Sequence, residues 1–191
     1  MAKYSVGLLL VLLLVLSACE RPVPPSTDPA AGGFNLTLYL QEQKARMQDK
    51  KPMVLKSVTT EDNPTETIET DEIDWEDELS VFDDLDLNKP TLQEYYTRQE
   101  IVLENGDVGI SYEKNTDSEP VVQHLYLLLT PDRQLKQLQA RLQDKNPLFF
   151  SRRNVQLNAE PATGNISGYR IEGVQKLILS DSLHYRVDAN L

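Results

Sequence analysis

Cysteine is nearly absent from this chain: Cys19 is the only one in 191 residues, so neither an intramolecular disulfide nor a cysteine zinc cage can form. Histidine is almost as rare. His124 and His184 stand alone, and neither belongs to a His-x-His or HExxH pattern of the kind that holds a metal. Glycine occupies eight positions, and the spacing of Gly164, Gly168 and Gly173 fits neither GxGxxG nor a phosphate-binding P-loop. Ser182 and His184 follow Asp181, but no G-x-S-x-G elbow presents the serine as a nucleophile. These gaps leave no catalytic, metal or cofactor assignment, and an enzyme is not expected.

Positive charge is also scarce. No basic residue lies between Lys56 and Lys89, while Glu61 to Asp86 holds 13 acids, and the whole chain carries a net charge of −11. Such a field repels nucleic acid, because there are too few cations to displace the counterions of phosphates. Within the acidic block, Asp84, Asp86 and Asn88 copy the first liganding positions of a calcium loop. Lys89 stands where glycine is needed and Tyr95 where a bidentate glutamate is needed, so the block reads as a solvated acidic face. Asp86 is instead expected to fix the turn after a helix by accepting backbone N–H bonds.

Long apolar runs are missing except at the start. Val6 to Ala18 gives 13 largely apolar residues, short of the roughly 20 needed to span a bilayer. With Lys3 before it and small residues after it, the segment reads as a signal peptide, residues 1–18. Leu16, Ser17, Ala18 and Cys19 form a bacterial lipobox. Cleavage before Cys19 and acylation of that residue would anchor the chain to a membrane through its acyl chains, leaving 18 basic against 30 acidic side chains, a net of −12. Glu20, not aspartate, follows Cys19, which points to the outer membrane of a diderm bacterium. Residues 19–33, with prolines at 22, 24, 25 and 29, read as an extended tether. At 40% hydrophobic and 26% charged residues, the rest suits one globular domain, 34–191.

Within that domain, Asn35 is placed to cap a helix over 35–49 whose stripe is Leu36, Tyr39, Leu40 and Met47, with Lys44, Arg46, Lys50 and Lys51 towards its C-terminus. Trp75, Leu79, Phe82 and Leu85 recur at four, three and three, which predicts a second helix over 73–86. The remaining segments have period two: 53–60, 66–71, 95–104, 107–113, 121–130, 149–157, 169–179 and 183–187. Asn105-Gly106 signals a two-residue hairpin turn with positive φ at both positions. Leu135 to Leu142 fits helix and strand equally well.

The run IDWEDELSVFDDLDLNKP, with Asp74, Trp75, Glu78, Leu79, Phe82, Asp86, Asn88, Lys89 and Pro90, resembles the helix-and-turn signature of a family of uncharacterised lipoproteins from the Bacteroidota. YRIEGVQKLILSDSLHYRV is similar to that family's closing strands, except that Ser180, Asp181 and Ser182 replace the usual turn glycine. The resemblance implies that 135–142 is a strand, and it brings no function. Asp181, Ser182 and Leu183 also resemble a short acceptor motif for O-glycosylation.

The expected fold is α+β: a curved antiparallel sheet of eight or nine strands, largely a meander, with two helices packed on one face. Two functional expectations follow. One is a membrane-tethered binding or assembly module with an envelope protein as partner, its core filled by Trp75, Leu79 and Phe82. The other is a carrier or sensor of an apolar ligand held in a cavity lined by Trp75, Leu79, Phe82, Leu125, Leu127 and Phe149.

Overall fold

Asn35 caps the first helix as its position predicts, its side chain accepting the Leu38 N–H at 2.9 Å. In the computed structural model, residues 34–61 and 63–191 are described. The expected signal peptide, lipobox, lipidated Cys19 and tether, together with Asp62, lie outside the described residues. Helix α1 (Leu36–Lys50) ends where Lys51 turns left-handed, at φ 44°, and donates its N–H to Met47 C=O. Leu36, Leu40 and Met47 are buried as the stripe requires, but so are Gln43 and Lys44, while Tyr39 is half-buried.

Among the described residues nine strands follow: β1 (Val54–Thr60), β2 (Asn63–Thr70), β3 (Tyr96–Val102), β4 (Val108–Lys114), β5 (Val122–Leu129), β6 (Leu135–Asn146), β7 (Phe149–Ala159), β8 (Ile166–Leu177) and β9 (Leu183–Asn190). They form one open antiparallel sheet in the order β2-β1-β9-β8-β7-β6-β5-β4-β3. Strands β3 to β9 are a meander joined by hairpins. The β1–β2 hairpin is added beside β9, so the first strand in the chain pairs with the last. Hydroxyls of Ser57 and Thr67, and of Thr59 and Thr65, meet at 2.9 Å across that hairpin.

The route from β2 to β3 joins opposite edges of the sheet. At ~4.8 Å per strand the traverse covers roughly 38 Å, and it buries Trp75, Leu79, Phe82, Leu85 and Leu87 on the way. The predicted helix over 73–86 is not continuous. It is replaced by two single turns, α2 (Trp75–Glu78, capped by Asp74) and α3 (Ser80–Asp83), then a 3-10 turn at Pro90–Tyr95. The break has a local cause: Leu79 leaves helical geometry at ψ 4°, and the Ser80 hydroxyl bonds Asp77 C=O. An acidic run without cations lacks the i,i+4 pairs that would hold a longer helix. Among the described residues the fold is therefore a sheet with one long helix and short turns, a coarser match to the expected α+β arrangement.

Two further sequence expectations are resolved. Leu135 to Leu142 is strand, with Leu138, Ala140 and Leu142 buried and Gln139 and Arg141 exposed. The Asn105-Gly106 turn is not the expected two-residue type. Only Gly106 has positive φ, at 83°, and Leu103 N–H bonds Asp107 C=O, giving a three-residue loop with a glycine bulge. Asn105 selects it by accepting the Asp107 N–H and donating to the Asp107 carboxylate.

Three buried tyrosines and the half-buried Tyr39 line the core, and their burial gives the fold an alkaline limit. Burial pushes Tyr96 up to about 12 and raises Tyr39, Tyr112 and Tyr169 from their ordinary value of 10.0. Below pH 10 both folded and unfolded chains keep these phenols protonated. Between pH 10 and 12 the unfolded chain loses protons that the folded chain retains, so stability falls with rising pH. Urea midpoints measured from pH 8 to 12 are expected to be flat up to about pH 10 and then to decline; a flat profile throughout would refute the burial argument.

Candidate functional site

Five of the six residues expected to face a ligand or the core lie together beneath α1 and the crossing segment. Trp75, Leu79, Phe82, Leu125 and Leu127 are each at most 2% exposed and belong to one contiguous cluster. The Phe82 and Tyr169 rings meet edge-on, 6.2 Å between centroids. Phe149 is the exception. It sits half-buried at the far end of β7, outside this cluster, because β6 to β9 run past the region that the helical cover reaches.

Polar anchors fasten the cover to the sheet. Lys44 of α1, with 6% of its side chain exposed, binds Asp83 at 2.8 Å and Glu76 at 3.2 Å. Glu78 accepts the Lys56 ammonium at 2.7 Å and the Tyr169 hydroxyl. Asn88 donates to Phe34 C=O and accepts the Tyr112 hydroxyl, while Asp86 accepts the Asn88 N–H, as expected of a turn residue, and the Thr37 hydroxyl. Gln43 accepts the N–H of Ile166 at the start of β8. Several acids of the 61–86 block are thus structural anchors, which corrects the reading of that block as a purely solvated face. No spacing in the sequence pairs Lys44 with Asp83, since the contact exists only after α1 and α3 meet.

The opposite face of the sheet is polar, and no other described element covers it. A recess of 480 Å3 lies over β7 to β9 and β1, with Arg152, Asn154, Glu172, His184 and Arg186 at its walls. A second, of 280 Å3, adjoins it at His124, Arg141, Gln156 and Arg170. Arg170 and Arg186 are held by Asp188, at 2.5 and 2.7 Å, and despite its burial Asp188 is kept below the usual carboxylate range by those hydrogen bonds. His124 and His184 sit on β5 and β9, four strands apart, or ~19 Å, too far to share a metal. Among the described residues no group of three His, Cys, Asp or Glu side chains could hold a metal ion, and no hydrogen bond joins Ser182 to His184.

Two hairpin ends project beyond the helical cover: β6–β7 and β8–β9. They are joined by the Ile178 N–H donating to Leu148 C=O at 3.0 Å. Leu148, Leu177, Ile178, Leu179 and Leu183 are all exposed there, Leu179 at 95%. The sequence expectation places Leu177, Ile178, Leu179 and Leu183 in strands and misses the patch, although LILSDSL places three apolar side chains in succession next to a polar turn. A separate apolar recess of 510 Å3, lined by Leu87, Leu92, Tyr96, Pro120 and Val122, opens at the other end of the crossing segment. No helix among the described residues is long and apolar enough to cross a membrane. No family model matches the chain, and neither a curated protein nor a solved structure matches it.

Proposed function

We propose that the chain is a lipid-anchored binding or assembly module of a bacterial cell envelope, tethered through Cys19 and presenting an α+β domain to a protein partner. The observation that carries this reading is the joined pair of hairpin ends with five exposed aliphatic side chains. Clustered exposed apolar residues mark protein contact surfaces more often than scattered ones do. The filled space around Trp75, Phe82, Leu125 and Leu127 supports the same reading, since a carrier needs room there. The address rests on the lipobox and on the resemblance to Bacteroidota lipoproteins. Catalysis is not part of the proposal.

A carrier of an apolar ligand is the second reading, favoured only by the open recess at Leu87, Leu92 and Tyr96, within the usual 300–1,000 Å3 of small-molecule sites. Cross-linking in cells that produce the full chain separates the two. An envelope protein captured by the wild type is expected to be lost, by ~tenfold or more, when Leu148 and Leu179 are replaced by Asp. Equal capture by the variant, or a lipid of defined mass released from the purified wild type in native mass spectrometry, would overturn the module reading. Cys19→Ala is expected to move the chain out of the high-salt membrane pellet; retention in the pellet would refute the anchor.

A further inference from the structure

Among the described residues the open sheet ends in two edge strands without a further neighbour, and they are built differently. Edge strand β2 carries Pro64, Glu66 and Glu69 and no cation, features that discourage another strand from adding on. Edge strand β3 reads Tyr96, Thr97, Arg98, Gln99, Glu100, Ile101, Val102. It has no proline and no lysine, and Ile101 and Val102 are 54% and 73% exposed.

Its backbone direction can be fixed from the ends. Leu103 N–H donates to Asp107 C=O, and Tyr95 C=O accepts the Asn115 N–H, both towards the β4 side. In an antiparallel ladder the groups alternate, so odd-numbered residues turn their N–H and C=O to β4, in the register Arg98↔Tyr112 and Glu100↔Ile110. Even-numbered residues turn theirs to the open edge. Of these, the Tyr96 N–H is already used by Gln93 C=O; the groups of Arg98, Glu100 and Val102 face outwards.

We propose that β3 pairs antiparallel with β3 of a second copy of this chain, about a two-fold axis through Gln99, so that two sheets become one. Hydrogen bonding requires an even residue opposite an even residue, which leaves axes through residue 98, 99 or 100 near the middle of the strand. An axis through Arg98 sets guanidinium against guanidinium, and one through Glu100 sets carboxylate against carboxylate. The Gln99 axis alone places Arg98 opposite the partner's Glu100 and Glu100 opposite the partner's Arg98, each pair exchanging two backbone hydrogen bonds. It also aligns the strand over its whole length, covering Val102 with the partner's Tyr96 and Ile101 with the partner's Thr97. Within one chain Arg98 binds Glu100 at 2.5 Å and Tyr112 of β4 at 3.3 Å, and Arg133 binds Glu100 at 2.6 Å, so pairing with a second copy would exchange the Arg98–Glu100 contact within each chain for one between chains. Such an interface is self-complementary, as two-fold symmetry demands.

The test uses the full chain purified in detergent. Gln99→Cys is expected to form a disulfide-linked species of twice the chain mass under mild oxidation, ~tenfold above Thr97→Cys, because residue 99 meets its own copy across a narrow pair and residue 97 does not. The wild type, with Cys19 alone, sets the background. Arg98→Glu and Glu100→Arg should each weaken self-association by ~tenfold, and an equimolar mixture of the two should restore it, since the opposite charges then face each other. Circular dichroism confirms that each variant is folded before sedimentation is measured. A Gln99→Cys yield no higher than that of Thr97→Cys would overturn the proposal. So would a mixture no better than its components, or a β3 edge that cross-links only to a strand of a different protein.

Discussion

Trp75→Ala is expected to lower unfolding stability by about 3–5 kcal/mol, the range for emptying a buried aromatic site. Trp75 is 1% exposed, follows the Asp74 cap and sits at the head of the segment that crosses the sheet. The cost should not relax away, because the neighbours that could collapse into the space are themselves fixed. Leu79 and Phe82 are fully buried, and Glu78, three residues on, is tied to Lys56 and Tyr169. A domain of ordinary stability has about 5–15 kcal/mol to lose, so at least about a fifth of it would disappear. Urea unfolding followed by circular dichroism is the measurement, since Trp75 is the only tryptophan and its fluorescence goes with it. A loss below about 1 kcal/mol would mean that the crossing segment is a loose strap.

Charge reversal at Lys44 should be nearly as damaging, about 3 kcal/mol or more for Lys44→Glu, whereas Lys44→Met should cost under about 1.5 kcal/mol. The difference comes from where the three charges sit. Burial alone would lower the Lys44 pKa, but its hydrogen bonds to Asp83 and Glu76 outweigh burial and raise it, so the ammonium is charged throughout the neutral range. Its partners are 48% and 77% exposed. When methionine replaces lysine, the apolar stem is kept and the two carboxylates return to water. A glutamate in the same place brings a third carboxylate into a buried site with no cation to meet it. Thermal melts of the two variants at pH 7 separate these cases, and equal losses would show that the ion pair itself holds α1 to the crossing segment.

What the sequence made legible follows the range of the interactions involved. The α1 cap depends on atoms three residues apart, and the alternation along β4 to β9 is set by which side chains meet the core; both can be read from local pattern. Trp75, Leu79 and Phe82 were rightly placed on one buried stripe, yet the spacing of four, three and three suits a chain of single turns as well as one helix. Polar residues such as Ser80 and Asp77 decided between them through a hydrogen bond that periodicity does not register. Local sequence places Lys44 only among the cations towards the end of a helix, because the acids it binds lie more than thirty positions away. The outward turn of Leu179 was hidden for a related reason: strand pattern gives the alternation of faces but not where the cover over a face stops. Phe149 was assigned to the core on the same incomplete information.

The pairing of β1 with β9 sets the order in which the molecule can assemble. Residues 55–60 bond to residues 185–190, so the β1–β2 hairpin can form early but cannot dock until the C-terminal strand has been made. Contact order in this part of the sheet is high, and non-local strand pairing of that kind slows folding. The meander from β4 to β8 contains only neighbour-to-neighbour ladders and is free to condense first. A chain cut short before Leu183 would keep that nucleus, yet it would leave β8 as a raw edge and the first hairpin without a dock. Ribosome-bound or truncated chains should therefore be the aggregation-prone species, and loss of the last few residues should cost far more than their small share of the core would imply.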